Sequence, residues 1–219
     1  MHIPDGFLDA KTWIGAAAIS SAGIALAVKK TRDLLDERQV PWMGVMSAFI
    51  FAAQMINFPI VGGTSGHLLG ALLAGITLGP WPAMLVMTTI LGIQCFFFQD
   101  GGLTALGANI LNMAVVGVWS GYGAYRLLQR WLPGDGGRNA AVFIAAWLSV
   151  LMASLAAAVE LALAGTLPFA AALPAMAGWH ALIGVGEGLI TMAVIQFVWR
   201  VRPDLQSMIR QGGVRFHEQ

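Results

Sequence analysis

Apolar stretches long enough to cross a bilayer, with the basic residues confined to every second gap between them, constrain this chain more than any motif in it. A membrane span needs about 20 apolar residues, with a range of roughly 17 to 25. Seven stretches meet or approach that length, at about 13–28, 42–57, 67–79, 82–98, 104–126, 140–166 and 180–200. The third, "HLLGALLAGITLG" ahead of Pro80 and Pro82, reads as a short or broken span that needs protein around its ends. Charged residues make up only 11% of the chain and hydrophobic ones 58%, which suits a membrane protein and not a soluble domain. If the spans simply alternate, Lys29, Lys30, Arg32, Arg38, Arg126, Arg130, Arg138, Arg200, Arg202, Arg210 and Arg215 all fall on one side. Only Lys11 falls on the other. Because cytoplasmic loops collect Lys and Arg, the expected architecture is an all-α bundle of seven transmembrane helices in the cell's inner (plasma) membrane. Its amino terminus is outside and its carboxyl terminus in the cytoplasm. No gap is long enough to be a linker, so residues 1–219 read as one transmembrane domain with a polar cytoplasmic tail at about 203–219.

The same alternation sorts the histidines. His2, His67 and His180 fall on the outer face, His180 at the start of the seventh span, while His217 lies in the tail. The chain opens "MHIPDGFL", without the charged segment, apolar core and small-residue cleavage site of a signal peptide. Methionine is retained before a residue as large as histidine. The Met1 amine, the His2 amide nitrogen and the His2 ring Nδ1 can then close adjacent five- and six-membered chelate rings on one ion. A fourth nitrogen would complete a square plane, a geometry favoured by Ni(II) and Cu(II). His67, after the glycine-rich "PIVGGTSG", is the natural fourth ligand. In "IPDG", Pro4, Asp5 and Gly6 suit the second, third and fourth places of a β-turn that points the terminus back into the bundle. A frayed end and an ordinary helix-start histidine fit the same residues.

Four segments carry a resemblance beyond this chemistry. "MHIPDGFL", "GGTSGHLLGALLAGITLGPW" at 62–81, "FQDGGLTALGANILNMAVVG" at 98–117 and "HALIGVGEGLIT" at 180–191 resemble the metal-binding membrane component of nickel and cobalt energy-coupling-factor ABC transporters. The resemblance implies a seven-helix subunit whose inserted amino terminus binds Ni2+ or Co2+ through Met1, His2 and His67. It also implies as partners a transmembrane coupling protein, two cytoplasmic ATPase subunits and a small accessory membrane subunit, which is not expected to be fused here. The ion is then the transported substrate, and no organic cofactor is expected.

Several buried polar residues are candidates for supporting that site or for holding helices together. His180, Gly184, Glu187 and Thr191 share one helix face. His180 and Glu187 stand about 10 Å apart along it, too far to share one ligand atom. Asn109 and Asn112 are expected to face inward with Gln54, Asn57 and Gln94, and Asp5 supports the terminal turn. Glu160 has no evident partner. The single cysteine, Cys95, excludes an internal disulfide and reads as packing. Small-residue rows at Gly66, Gly70 and Ala74 and at Ala17, Ser21 and Ala25 permit close helix approach, within the chain or against a partner.

Other functions leave no trace. No basic arm interleaved with aromatics suggests nucleic acid. "GVGEG" lacks the strand and helix of a nucleotide fingerprint, and there is no GxxxxGK[ST] loop, so transport energy has to come from partners. An intramembrane metalloenzyme would want an HExxH or an acid beside an open coordination place, and the chain offers neither. A transporter subunit is therefore expected, with an uncoupled metal channel or carrier, or an intramembrane metalloenzyme, as the alternative.

Overall fold

A computed structural model of the chain describes residues 1–32, 40–60 and 64–202. Arg38, Arg210, Arg215, His217 and the tail at 203–219 lie outside the described residues, as do Gly62 and Gly63. Helix α1 (Ala10–Arg32) is followed by α2 (Val40–Gln54), a two-stranded antiparallel hairpin of β1 (Phe58–Ile60) and β2 (Thr64–Gly66), the short α3 (Ala71–Leu78), and α4 (Pro80–Phe98). Then α5 (Leu106–Ile110), a π-helical stretch (Leu111–Val116) and α6 (Gly117–Trp131) run on without a break as one rod. Two long helices, α7 (Gly134–Leu163) and α8 (Phe169–Val201), complete the described chain. Four helices, α1, α4, α7 and α8, are individually long and apolar enough to cross a membrane. The fold is all-α apart from the hairpin, which sequence periodicity does not anticipate because its strands are only three residues each.

Local chemistry explains the breaks. Gly79, at φ 84°, separates α3 from α4, and Pro80 occupies the first turn of α4, where a missing N–H costs nothing. The third apolar stretch is thus a short helix, about 12 Å at 1.5 Å per residue, preceded by non-helical backbone at residues 67–70. Such backbone is tolerated at membrane depth only where side chains satisfy it. They do so here: the Leu69 and Gly70 N–H groups donate to the two Glu187 oxygens at 2.9 and 2.6 Å, and Gln54 donates to the Leu69 carbonyl at 2.6 Å. Gly70 sits at φ 74° with Ile50 packed against it, so a side chain there is excluded twice over.

The seventh stretch corrects an expectation. Helix α8 starts at Phe169, not near residue 180, because Pro174 falls within the helix without ending it. His180 therefore lies well inside α8. Gly184 does leave room for a neighbour: a Cβ there would meet the Trp147 ring at 2.8 Å, and one at Gly188 would meet Phe143 at 2.6 Å. Bare backbone on α8 thus seats the aromatic ridge of α7. Likewise a Cβ at Gly107 would stand 2.5 Å from Ala17 Cα, so α1 crosses α5 in close contact. Ser21 and Ala25 face outward.

Two ends of the molecule differ in chemistry. The amino-terminal segment, the hairpin, the loop at 99–105 and the α7–α8 turn gather at one end, where Thr166 bonds the Phe7 carbonyl and Asn57 bonds Asp100 at 2.8 Å. Lys29, Lys30, Arg32, Arg130, Arg138 and Arg200 sit on helix ends directed away from it.

Candidate metal centre

The chain's first three residues are buried in the bundle, Met1 and Ile3 completely and His2 to 4% exposure. What draws them in is a set of backbone bonds that only this end can offer. Asn109, itself buried, accepts from the Ile3 N–H at 2.8 Å and donates to the Ile3 carbonyl at 3.1 Å, so one side chain grips one residue's donor and acceptor together. The Gly102 N–H adds a second bond to that carbonyl at 2.9 Å. Beyond the grip the chain turns at Asp5 and Gly6, with Gly6 at φ 82°. The turn is centred one residue later than the proline placement predicts, because glycine takes the left-handed position itself. The exposed Asp5 carboxylate accepts from the Leu103 N–H, the Thr104 N–H and the Thr104 hydroxyl at 3.0, 2.7 and 2.6 Å. The hydroxyl bond foremost, with the two N–H bonds, holds Asp5 below the usual carboxylate range. It ties down the terminal turn and stays away from the histidines.

Ser65 organises the amino end. It lies mid-strand in β2, opposite Pro59. A proline fits only a non-hydrogen-bonded pair of the antiparallel ladder, whose carbonyls face away from the partner strand, so the Ser65 carbonyl is free for the Met1 amine. The Ser65 hydroxyl lies 3.2 Å from the Met1 amine and 3.2 Å from the His2 backbone nitrogen, and it accepts from both. Two nitrogens that reach one oxygen point the same way. Burial pushes the Met1 amine down to about 4, against the opposing pull of Asp100, so at neutral pH it is an uncharged amine with a lone pair. Burial, then the nearby terminus, also lowers His2.

The imidazoles meet beside those nitrogens. The His2 and His67 rings are 4.6 Å apart, centre to centre, tilted by 42°. The Nδ1 of His67 is 2.8 Å from the Leu68 carbonyl and takes the donor role, which leaves Nε2 with its lone pair, buried and without a hydrogen bond. The Nε2 of His2 faces the Asp100 carboxylate at 3.9 Å, and its Nδ1 lies on the other edge of the ring. Burial pushes the Asp100 carboxyl up, while the Met1 amine and Asn57 pull it back. Asp100 and Ser65 are absent from the sequence expectations. "QDGG" reads as a turn and Ser65 as a spacer, and only the fold brings them to the terminus.

The other expected residues divide. His180 is buried, its Nδ1 is 2.8 Å from the Met176 carbonyl, and its Nε2 has no hydrogen bond. Glu187 braces the backbone behind His67, so the two residues serve different partners, as their spacing on α8 predicts. Asn112 donates to Glu160 at 2.6 Å, which supplies the partner that Glu160 lacks in the sequence. Gln54, Gln94, Asn109 and Asn112 are buried, but Asn57 is exposed at the rim, contrary to its expected inward place. Among the described residues no three His, Cys, Asp or Glu side chains form a metal-binding group. Any ion held here has to use main-chain nitrogens as well as imidazoles.

A family model described as the cobalt uptake substrate-specific transmembrane region matches residues 2–205. The chain is 42% identical over 207 residues to a fused nickel transport protein of Archaeoglobus fulgidus, covering 94% of this chain and 68% of that one. It is 34% identical over 208 residues to a cobalt transport protein of Streptomyces coelicolor, covering 90% and 88%. A crystal structure described as a transition metal transporter superposes with a TM-score of 0.87 at 35% identity, covering 97% of this chain and 100% of that one.

Proposed function

The chain belongs to the family of cobalt uptake substrate-specific transmembrane regions, and on that premise we propose that it is the substrate-binding and translocating subunit of an ATP-driven nickel or cobalt uptake transporter. It captures the ion on the extracytoplasmic side with the Met1 amine, the His2 amide nitrogen, the His2 Nδ1 and the His67 Nε2. The observation that carries this reading is the convergence of the amine and the amide nitrogen on one point, 3.2 Å from each, beside two imidazoles. The ring spacing supports it independently. With bonds of about 2 Å from one ion to each ring nitrogen, rings on adjacent corners stand about 4.5 Å apart and rings on opposite corners about 6 Å. The spacing of 4.6 Å fits adjacent corners. That is where a three-nitrogen chelate leaves its fourth place, opposite the amide and next to the His2 imidazole.

Each neighbour then has a task. Asp100 stands 3.9 Å from His2 Nε2, beyond hydrogen-bond reach, and its charge favours the ring proton on that nitrogen, the tautomer whose Nδ1 is free to bind. Asn109, Gly102 and Asp5 dock the terminus. Glu187 and Gln54 hold the extended backbone from which His67 projects. Four nitrogens in a plane favour nickel over cobalt. The bias of basic residues toward one end supports an orientation with the histidine end outside and the opposite end in the cytoplasm, and a count of seven spans that takes in α2, α3 and the π-containing rod. There a transmembrane coupling protein and two ATPase subunits, with a small accessory membrane subunit, supply the energy for release.

The test is nickel and cobalt titration of the purified chain beside a variant with one extra residue ahead of Met1, both termini checked by intact mass. The extension should abolish tight binding of both ions while the thermal unfolding midpoint stays within a few degrees. Equal binding by the two proteins would remove the terminal amine from the ligand set.

A further inference from the structure

We propose that the Ser65 hydroxyl is a placeholder for the cargo ion: it holds the two chain-start nitrogens together and has to swing away before a metal enters. The inference rests on the chelate reading above and adds a residue that competes with the metal. A deprotonated amide binds a metal with the in-plane lone pair that its proton held, so the ion takes the direction of the former N–H bond. The His2 N–H is aimed at Ser65 Oγ, 3.2 Å from the nitrogen. An ion about 2 Å from that nitrogen on the same line would leave little more than about 1 Å to the oxygen, which no pair of atoms tolerates. Hydroxyl and metal therefore exclude each other. The Met1 amine, also 3.2 Å from Oγ, points into the same space.

The backbone of Ser65 need not move, because β2 is pinned to β1 on one side and its carbonyl binds the amine on the other. A change of χ1 to another staggered position clears the site. The exchange balances simply. The aquated ion exchanges coordinated waters, which leave to the solvent, for bonds to the amine, the amide nitrogen and the two imidazoles. The amide proton leaves to the solvent, and Ser65 keeps its own.

The sign of the effect separates this role from that of a ligand or a scaffold. Without the hydroxyl, the His2 N–H is a buried donor with no acceptor, but only in the form that still has that N–H. The metal-bound form has none there to satisfy. Removing Oγ thus destabilises one side of the equilibrium alone, and Ser65→Ala should bind nickel more tightly, by about tenfold. Removing a ligand or a support weakens binding.

The experiment is competition of the purified full chain against a chromophoric chelator for nickel, with the visible absorption of bound nickel recorded in parallel. Wild type, Ser65→Ala, Ser65→Thr and His67→Ala are compared. Tighter binding by Ser65→Ala with an unchanged nickel band, and wild-type behaviour of Ser65→Thr, is the expected result. Equal or weaker binding by Ser65→Ala, with His67→Ala inactive, overturns the placeholder and leaves the chelate standing. Full binding by His67→Ala overturns the chelate and the placeholder with it. Should Ser65→Ala fail to fold, Ser65→Val against its near-isostere Ser65→Thr asks the same question: tighter binding by the valine variant supports the placeholder, and equal or weaker binding rejects it.

Discussion

Replacing Asn109 with alanine isolates the docking of the terminus from the ligands themselves. Asn109 touches no proposed donor atom. It grips Ile3 from both sides, through bonds of 2.8 and 3.1 Å inside a buried environment. In Asn109→Ala the Ile3 carbonyl keeps the Gly102 N–H, whereas the Ile3 N–H is left buried with no acceptor. An orphaned buried donor costs about 1–3 kcal/mol and the loss of the second bond about 1 kcal/mol, so the docked terminus loses about 2–4 kcal/mol. At 1.4 kcal/mol per tenfold this is a drop of about 30-fold or more in the docked-to-free ratio. Apparent nickel affinity falls with the fraction of molecules that are docked. Nickel titration gives the affinity, and hydrogen exchange at residues 3–7 gives the docking directly. Asn112→Ala is the control, because Asn112 holds Glu160 and does not touch the terminus. It should lower thermal stability and leave affinity within about twofold. If Asn109→Ala binds nickel within twofold of wild type while exchange shows the terminus released, docking and binding are unconnected and the inserted terminus is not the site.

Three further outcomes follow from the same geometry. A Cβ at residue 102 would meet Pro4 C and Asp5 Oδ1 at 2.6 Å, so Gly102→Ala should push the terminal turn away and weaken nickel binding at least about tenfold, read by the same titration. At pH 7 the docked Met1 amine, lowered to about 4, carries no proton for the metal to displace, so calorimetry in buffers of different ionisation heat should find about one proton released per ion, from the amide. A count of two would mean the amine is still charged. The free amine titrates near 8 and the docked one near 4, so the undocked form alone takes up a proton as pH falls through 8 toward 4; the protection of residues 3–7 against hydrogen exchange, after correction for the intrinsic amide rate that itself falls with pH, should drop over that window, and protection that stays constant with pH would contradict the burial of the amine.

The sequence reading reached what local chemistry encodes. The all-α, apolar character of the chain depends on residues near one another in it, and the helices long and apolar enough to cross a membrane lie in stretches that were read as spans. Helix ends were less legible. The seventh apolar stretch reads from about residue 180, yet α8 runs on through Pro174 and starts 11 residues before His180. The π-helical stretch has no local signature, since its wide turn depends on what the rod packs against. Ser65 and Asp100 were invisible for another reason: a serine in a glycine-rich loop and an acid in a turn are ordinary until distant backbone arrives beside them. Asn109 and Glu187 were legible as buried and polar, but not as grips on backbone, because the residues they hold are 106 and 117–118 positions away.

Those separations set the order in which the molecule can be assembled. The first residues to be synthesised find their partners last: Ser65 is 64 residues from Met1, and the grip on Ile3 closes a loop of 106. Closing so long a loop is slow and unfavourable until the groups at its far end are already in place. The hairpin, the loop after α4 and the start of the central rod have to form before the terminus has anywhere to go. On the proposed site, occupancy by the ion would then report on a seated terminus, and a chain halted short of residue 109 would present the same first two residues without the grip that seats them.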